Sequence, residues 1–371
     1  MKKHRKSPKI YDEALTYENL YAAWNTVLHT CKNKQGLFEF AMYGHARVSR
    51  LLNELKARKY YPNKFRCFMI FEPKPRLVMS QSIRDKVVNH FVAKRYLIPL
   101  LENTLVDTNV ATRLKLGASY ATKKMKQYFA RILAENPEAK IYALKIDISK
   151  YFYSIDHEIL FEKLRRRVKD KDVLEILRRI IDETNKPYIN NVIDKFNQCY
   201  HTNIPHYGKG RGLSIGAMAS QFLAIFYLDE VDHYIKEGLK CVYYIRYMDD
   251  FILLGTDKKQ LYEWMRKIEV KIVEHKLKMN PKSAIYNCSS KTGFSFLGYR
   301  YYLERTRKGN QVLRIVCMSR TVRRVKKRLR LLKEHDFEKY ERSRESYRGY
   351  FEYESPASGG WSIDKVPDMM K

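Results

Sequence analysis

Two adjacent aspartates, Asp249 and Asp250, lie between two apolar segments, and this feature constrains the fold more than any other. Residues 244–255 read YIRYMDDFILLG, in which aromatic and β-branched residues predict two short strands and MDD predicts the turn between them. Neighbouring like charges repel one another, and burial increases the cost. The segment therefore predicts a β-hairpin whose tip holds two carboxylates together with a cation.

A third acid, Asp147, stands at the end of a predicted buried strand in residues 139–155, AKIYALKIDISKYFYSI. One strand-end acid and two hairpin acids can converge on one point. Mg²⁺ prefers carboxylate oxygens and takes its remaining ligands from water and phosphates. Two such ions, about 3.5–4 Å apart, stabilise both the attacking and the leaving oxygen of a phosphoryl transfer. The simpler alternative is a pair of acids in an exposed turn, where Asp is common.

The charge of the chain predicts a polyanionic partner. There are 72 Lys and Arg residues against 41 Asp and Glu residues, a formal net charge of +31. Interspersed with them are 29 Tyr and 17 Phe residues, whose rings can stack on nucleobases. Nucleic acid is the first candidate partner and an anionic membrane surface is the second. A Lys-rich but otherwise ordinary soluble protein is the third interpretation.

The hydrophobic periodicity predicts a mixed α+β fold. Apolar residues at intervals of three and four predict helices at 12–60, 82–104, 117–136, 158–183 and 258–276. Strands are predicted at 67–80, around a turn with Lys74 and Arg76 at its tip, and in LKMNPKSAIYN and FSFLGYRYYL. The polar stretch 184–211 is expected to form a long loop or irregular insertion.

A basic amphipathic helix is predicted near the end of the chain. Val322, Val325, Leu329 and Leu332 share one helical face, and eight of the fourteen residues 320–333 are Lys or Arg. The apolar face can pack while the basic face follows a phosphate backbone. A solvated surface helix is the alternative.

Taken in chain order, seven segments resemble the motifs of reverse transcriptases. They are KPR (74–76), ATRLKLGAS (111–119), KIDISKYFYSIDH (145–157), GLSIGAMASQ (212–221), YMDD (247–250), LKMNPKS (277–283) and FSFLGYR (294–300). The resemblance implies a right-hand polymerase with fingers, a palm of antiparallel sheet plus helices, and a short helical thumb. The implied division is 1–138 for the N-terminal helices and fingers, 139–300 for the palm with a helical or loop insertion at about 158–211, and 301–371 for the end of the primer grip and the thumb.

The resemblance also implies roles for individual residues. Asp147, Asp249, Asp250 and the carbonyl of Ile148 would bind two Mg²⁺ ions, with Mn²⁺ as an alternative. The nucleotide would be bound by Lys74, Arg76, Phe152, Ile215, Gly216 and Lys282. Among these, Phe152 would exclude a 2′-hydroxyl and Lys282 would protonate pyrophosphate. Taken singly, these six positions also suit a solvated turn, an ordinary core phenylalanine, a helix start or a surface lysine.

Further positions would contact the nucleic acid. The primer grip would be formed by Phe296, Leu297, Gly298 and Tyr299. Template or duplex contacts would come from Arg113, Arg323, Arg324 and Lys327. Beyond the primer grip no segment resembles a nuclease.

The base-pair motif departs from the pattern common in the family. Where many relatives have Pro-Gln-Gly, this chain has Ser214, Ile215 and Gly216, followed by Ser220 and Gln221. This variant resembles the enzymes of diversity-generating retroelements and defence-associated, abortive-infection reverse transcriptases. It implies altered base discrimination, because an amide contact is replaced by an apolar one.

These observations predict an RNA-directed DNA polymerase, with RNA template, DNA product and dNTPs as partners. We expect a dedicated noncoding RNA and a role in antiphage defence. The sequence leaves open whether an accessory protein, a second polymerase subunit or an oligomer takes part. Alternatives are mutagenic retrohoming, untemplated or protein-primed synthesis, and a non-catalytic maturase-like scaffold. Scattered cysteines without a C-x-x-C pair and the absence of an apolar signal after MKKHRKSPK predict a cytoplasmic protein without a membrane partner.

Overall fold

The structure, a computed structural model, describes residues 9–31, 33–71 and 74–352. The basic start of the chain and the tail after Ser355 lie outside the described residues. The α-helices are α1 (Ile10–Ala14), α2 (Tyr17–Thr30), α3 (Lys34–Ala41), α4 (Gly44–Lys56), α5 (Ile83–Val92), α6 (Ile98–Leu101), α7 (Ala118–Glu135), α8 (Tyr151–Ser154), α9 (His157–Arg167), α10 (Lys171–Asp182), α11 (Pro187–Tyr200), α12 (Met218–Tyr227), α13 (Asp229–His233), α14 (Lys258–Glu274), α15 (Ser319–His335) and α16 (Phe337–Glu352).

The strands form antiparallel sheets, and the α+β fold class predicted from the sequence is confirmed. The strands are β1 (Arg66–Ile70), β2 (Arg76–Ser80), β3 (Tyr142–Ile146), β4 (Tyr244–Tyr247), β5 (Asp250–Gly255), β6 (Ala284–Asn287), β7 (Phe294–Phe296), β8 (Tyr299–Arg305) and β9 (Gln311–Cys317). They are ordered β1-β2, β4-β5-β3-β6 and β7-β8-β9.

The chain forms two compact units, each made of separate stretches of sequence. Unit 1 comprises Met1–Thr112, Ile148–Lys240 and Ile268–Asn280, and unit 2 comprises Arg113–Asp147, Cys241–Lys267 and Pro281–Lys371. Unit 1 contains the β1-β2 hairpin, and unit 2 contains the four-stranded and three-stranded sheets. The division into 1–138, 139–300 and 301–371 stays a prediction.

Apolar residues of β3 and β5 form the core of the four-stranded sheet of unit 2. Leu144 and Ile146 of β3 are fully buried, as are Phe251, Ile252 and Leu253 of β5. Successive residues of a strand point to opposite faces, so continuous burial means that both faces of this sheet are covered. Such a sheet holds the residues at its end in a rigid register.

The expected loop at 184–211 is wrong in part, because α11 occupies fourteen of its residues. Pro187 begins the helix at a position that suits proline. Ile189 and Ile193 are buried in one cluster with Leu77 and Met79 of β2. These isoleucines are one helical turn apart, but Asn190 and Asn191 between them and the polar residues that follow obscured the period.

The amphipathic helix predicted near the end of the chain is α15. Val325 and Leu329 are buried with Tyr340 and Phe351 of α16. Val322 and Leu332 pack against the same cluster. The apolar face therefore packs on a second helix, as its spacing indicated.

Across the described stretches of the chain, no helix combines the length and the apolar character needed to cross a bilayer.

Candidate active site

The acidic segment forms the predicted hairpin in unit 2. Tyr247 of β4 pairs with Asp250 of β5, so Met248 and Asp249 make a two-residue loop. Met248 has a φ of +57°, which fits the left-handed conformation that tight hairpin loops require. The structure thus places Asp249 in the loop and Asp250 at the first position of β5.

Asp147 lies beside this hairpin at the end of β3. Ile146 pairs with Phe251 and Lys145 with Ile252, so the next step of this register places Asp147 opposite Asp250. Directly opposed residues of an antiparallel pair have their side chains on the same face. The two carboxylates predicted from distant segments are therefore brought to one end of one sheet.

Lys282 stands in the turn before β6, which is the other neighbour of β3 in the sheet. Lys145 also pairs with Ala284, the first residue of β6, so Lys282 precedes the last paired residue by two positions. Ser283 reinforces this arrangement, since its hydroxyl accepts a hydrogen bond from the Asp147 N–H at 3.1 Å. The same hydroxyl lies 3.4 Å from the Asp147 carbonyl, to which it can donate. Sequence reasoning missed Ser283, although it directly follows the predicted lysine.

Two cations at the acidic hairpin were also missed. The Lys145 Nζ is 3.2 Å from Asp250 Oδ1. Arg246, a fully buried side chain, donates from Nη1 to the Met248 carbonyl at 2.7 Å. Its guanidinium lies 5.6 Å from the centre of the Phe251 ring. The acids therefore stand next to positive charge supplied by the protein itself.

The carboxylates fit a divalent cation in their chemistry. Asp147 and Asp250 supply hard oxygen donors from facing strands, and Asp249 is next to Asp250. Within the residues that the structure describes, no group of three or more His, Cys, Asp or Glu side chains is arranged to hold a metal ion as it stands. Instead, Asp250 pairs with Lys145. The predicted ligand set, including Ile148, stays a prediction.

Several predicted nucleotide-binding residues come together in unit 1. The Leu213 N–H donates to the Phe152 carbonyl at 2.7 Å, and the Met79 N–H donates to the Ile215 carbonyl at 3.2 Å. These bonds join the segment after β3, the base-pair motif and β2. Gly216 is exposed with a φ of +115°, a conformation that side chains other than glycine rarely adopt.

The remaining predicted nucleotide-binding and metal-binding residues of unit 1 lie around the start of β2 and directly after Asp147. Lys74 and Arg76 are exposed, and Arg76 begins β2 opposite Ile70. Ile148 is buried and bridges to Met279. The nucleotide and metal roles of these side chains stay predictions.

Asp156 is a structural residue of unit 1 that sequence reasoning did not identify. Its carboxylate accepts the N–H groups of Glu158 and Ile159 at the start of α9. It also accepts a hydrogen bond from Lys276 at 2.9 Å. Burial would raise the pKa of the Asp156 carboxyl, but the Lys276 ammonium and the Ile159 N–H outweigh it, so that pKa lies below its usual value. Asp156 is therefore ionised at neutral pH and fixes the helix that follows the predicted gate, Phe152.

The predicted primer grip is a tight hairpin of unit 2. Phe296 and Tyr299 are its flanking pair, and the loop residues Leu297 and Gly298 have φ values of +49° and +90°. Positive φ at both loop positions is the signature of a type I′ turn. Lys145 connects this hairpin with β3, because its Nζ donates to the Ser295 carbonyl at 2.9 Å.

The predicted nucleic-acid contacts lie on accessible parts of unit 2. Arg323, Arg324 and Lys327 are exposed on α15, on the side away from buried Val325. Arg113 is half-buried in the connection before α7. Their binding roles stay predictions.

Residues 72–301, which are 230 of the 371 residues, match the family described as reverse transcriptase (RNA-dependent DNA polymerase). No curated protein sequence gives a significant match.

Among solved structures, the chain is similar to telomerase from Candida albicans in complex with a TWJ fragment of telomeric RNA. The identity is 15%, the TM-score is 0.47, and the match covers 76% of this chain and 50% of that one. An apo telomerase from Candida tropicalis, truncated from its C-terminal domain, matches with 13% identity and a TM-score of 0.45 over 69% of this chain and 58% of that one. The chain thus spans about half the length of these telomerases.

Proposed function

Because the chain belongs to the reverse transcriptase (RNA-dependent DNA polymerase) family, we propose that it extends a DNA strand on an RNA template at Asp147, Asp249 and Asp250. The observation that carries this proposal is the order of the four-stranded sheet, in which Asp147 directly follows β3, Asp250 begins the neighbouring strand β5, and Lys282 precedes β6 on the other side of β3. Acids beside a proton donor are what nucleotidyl transfer requires.

In the proposed reaction the 3′-hydroxyl of the primer attacks the α-phosphorus of a dNTP and pyrophosphate leaves. A pair of divalent ions, when bound to the acids, would activate the hydroxyl and neutralise charge on the leaving group. We propose Mg²⁺ as the physiological ion, with Mn²⁺ able to replace it. The carbonyl of Ile148, next to Asp147 in the chain, completes the proposed ligand set.

The remaining motif residues bind the substrate and control its choice. Lys74, just before β2, and Arg76, its first residue, are exposed, and cations there can neutralise triphosphate oxygens. Lys282, which precedes β6, would give a proton to pyrophosphate. Phe152 would restrict the sugar 2′-position. Ile215 and Gly216, which are joined to β2 by the Ile215 carbonyl, would contact the new base pair.

The proposal is tested by measuring dNTP incorporation on an RNA template with a DNA primer and Mg²⁺. We expect the double variant Asp249→Ala, Asp250→Ala to lose incorporation by at least about a thousandfold, because loss of metal ligands removes several kcal/mol of transition-state stabilisation. A folded double variant with unimpaired incorporation would exclude these acids from the reaction.

Glu263→Ala is the matched control, since Glu263 is an exposed acid of unit 2 on α14. It should retain wild-type incorporation. If the cellular effect of the protein persists in the double variant, the non-catalytic scaffold is the correct interpretation. Incorporation without any template would point to untemplated or protein-primed synthesis.

For the biological role we propose antiphage defence with a dedicated noncoding RNA as template, carried out in the cytoplasm. The support is the base-pair motif, in which Ile215 and Gly216 replace the common Gln-Gly and resemble defence-associated and diversity-generating enzymes. Diversification of a target gene by mutagenic retrohoming is the alternative that the same motif allows.

A further inference from the structure

We propose that Lys145 is a built-in counter-ion for Asp250, which holds the acidic hairpin in the metal-free protein and competes with the metal for that carboxylate. The inference rests on the proposed function, because it takes Asp250 to be a metal ligand. Lys145 is then a positioning residue, because its charge sets how tightly the acids bind a divalent ion.

The geometry places the ammonium within reach of the acids. Lys145 of β3 pairs directly with Ile252, so Asp250 is its diagonal neighbour on the next strand. Diagonal neighbours on one face are within reach of a long side chain. The resulting Nζ–Oδ1 distance is 3.2 Å, and the Lys145 side chain is only 20% exposed. The ion pair is therefore partly shielded from the solvent that weakens surface pairs.

Lys145 has a second partner that allows it to release Asp250. Its Nζ donates to the Ser295 carbonyl at 2.9 Å. The ammonium can keep this bond when the carboxylate turns to a metal ion, so it need not become an unpaired charge in a half-buried position. The same lysine thus connects the acidic hairpin with β7, the strand that leads into the predicted primer grip.

Charge explains why such a residue is required. Asp250 begins β5, Asp249 is adjacent to it, and Asp147 directly follows the neighbouring strand β3, so these like charges repel one another at one end of the sheet. Lys145 relieves this repulsion when no metal is present. The same positive charge opposes the arrival of a divalent ion. Removing it should therefore weaken the metal-free fold and strengthen metal binding.

The experiment compares wild type with Lys145→Met in the absence of nucleic acid. Mn²⁺ binding is measured by the loss of the free-ion EPR signal, and thermal unfolding is followed with and without Mg²⁺. We expect Lys145→Met to bind Mn²⁺ about threefold to tenfold more tightly, since a charge at this distance changes the occupancy of a neighbouring charged site by such factors. Its Tm should be lower than that of wild type without metal, and Mg²⁺ should reduce that difference.

Three variants make the result specific. Lys145→Gln removes the charge but can still donate to Ser295, and it carries the test if Lys145→Met does not fold. Lys145→Arg keeps the charge and should restore wild-type Mn²⁺ affinity. Lys140→Met, at an exposed lysine just before β3, should leave both Mn²⁺ affinity and the Mg²⁺ effect unchanged.

The outcomes separate this inference from the proposed function. If wild type binds Mn²⁺ and the Lys145 variants bind it equally or more weakly, the counter-ion inference is wrong while the metal site stands. A Tm loss that is the same with and without Mg²⁺ would reduce Lys145 to a structural residue. If neither wild type nor any variant binds Mn²⁺, the proposed metal chemistry and the inference are both wrong.

Discussion

Arg246 contacts the loop of the acidic hairpin directly. It has no exposed surface, and its guanidinium donates to the carbonyl of Met248, the loop residue with a φ of +57°. A positive φ costs energy in a residue other than glycine. A buried donor aimed at that carbonyl therefore stabilises a loop that would otherwise relax.

We predict that Arg246→Met lowers the free energy of unfolding by about 1–3 kcal/mol, because the Met248 carbonyl loses its donor. Nucleotide incorporation should fall more steeply than stability, since the loop carries Asp249. The measurements are urea unfolding and single-turnover incorporation well below the unfolding midpoint.

Arg246→Lys serves as the companion variant because it keeps the charge with a shorter reach and fewer donors. It should lie between wild type and Arg246→Met in both measurements. Wild-type incorporation by a correctly folded Arg246→Met protein would show that the hairpin does not need this contact.

At the scale of elements, α15 combines a packing face with a basic face. Val325 and Leu329 are buried against α16, while Arg323, Arg324 and Lys327 are exposed. The burial fixes which face of the helix is accessible. The exposed cations are therefore available to phosphates without any loss of core packing.

We predict that changing Arg323, Arg324 and Lys327 together to Gln weakens binding of a primer–template duplex and makes it less salt-dependent. Each phosphate contact contributes about −0.9 to the slope of log Kobs against log salt on B-form DNA, so the slope should shrink by about 2 to 3. Fluorescence anisotropy over a salt series measures it.

The control variant changes Lys259, Arg266 and Lys267 of α14 to Gln. These three residues are exposed, so the variant loses the same charge as the α15 variant. A control slope reduced as much as that of the α15 variant would mean that net charge, and not the face of α15, binds the duplex. Unfolding midpoints of both variants should stay close to that of wild type, because surface substitutions rarely change stability much.

Helices and strands were predicted well where the hydrophobic periodicity was regular, and poorly where polar residues interrupted it. The hairpin of Asp249 and Asp250 follows from two apolar runs around a turn. By contrast, α11 was expected to be a loop because Asn190, Asn191 and Asp194 interrupt its apolar face. Packing of Ile189 and Ile193 on β2 stabilises the helix, and that partner cannot be read from the local sequence.

At the scale of the whole molecule, the charge of +31 requires a counter-charge. Such a charge opposes compact folding through self-repulsion, and a bound polyanion relieves it. Any ligand that binds only the folded state also raises its stability. Folding stability and RNA binding should therefore be coupled in this protein.

We predict that protein purified at about 0.15 M salt retains RNA and that nuclease treatment lowers its Tm. Adding back the RNA should restore the Tm, and the effect should vanish near 1 M salt, where screening acts over about 3 Å. Differential scanning fluorimetry measures the shift. A Tm that does not respond to nuclease at low salt would contradict the coupling.

Sequencing the retained RNA tests the proposed biological role. One noncoding RNA encoded beside the protein would support the defence role. A transcript of a variable repeat would support diversification instead. A random sample of cellular RNA would mean that the proposal of a dedicated template is wrong.

The sequence by itself determined the enzyme family, the hairpin that carries Asp249 and Asp250, and most strands and helices, because apolar period and turn chemistry are local properties. Only the tertiary structure decided that Lys145 pairs with Asp250, that Ser283 bonds the backbone of Asp147, and that Arg246 is buried beneath the hairpin. These contacts depend on the register of strands that are distant in sequence. A shift of one residue would turn each side chain to the other face of the sheet, and no local pattern specifies that choice.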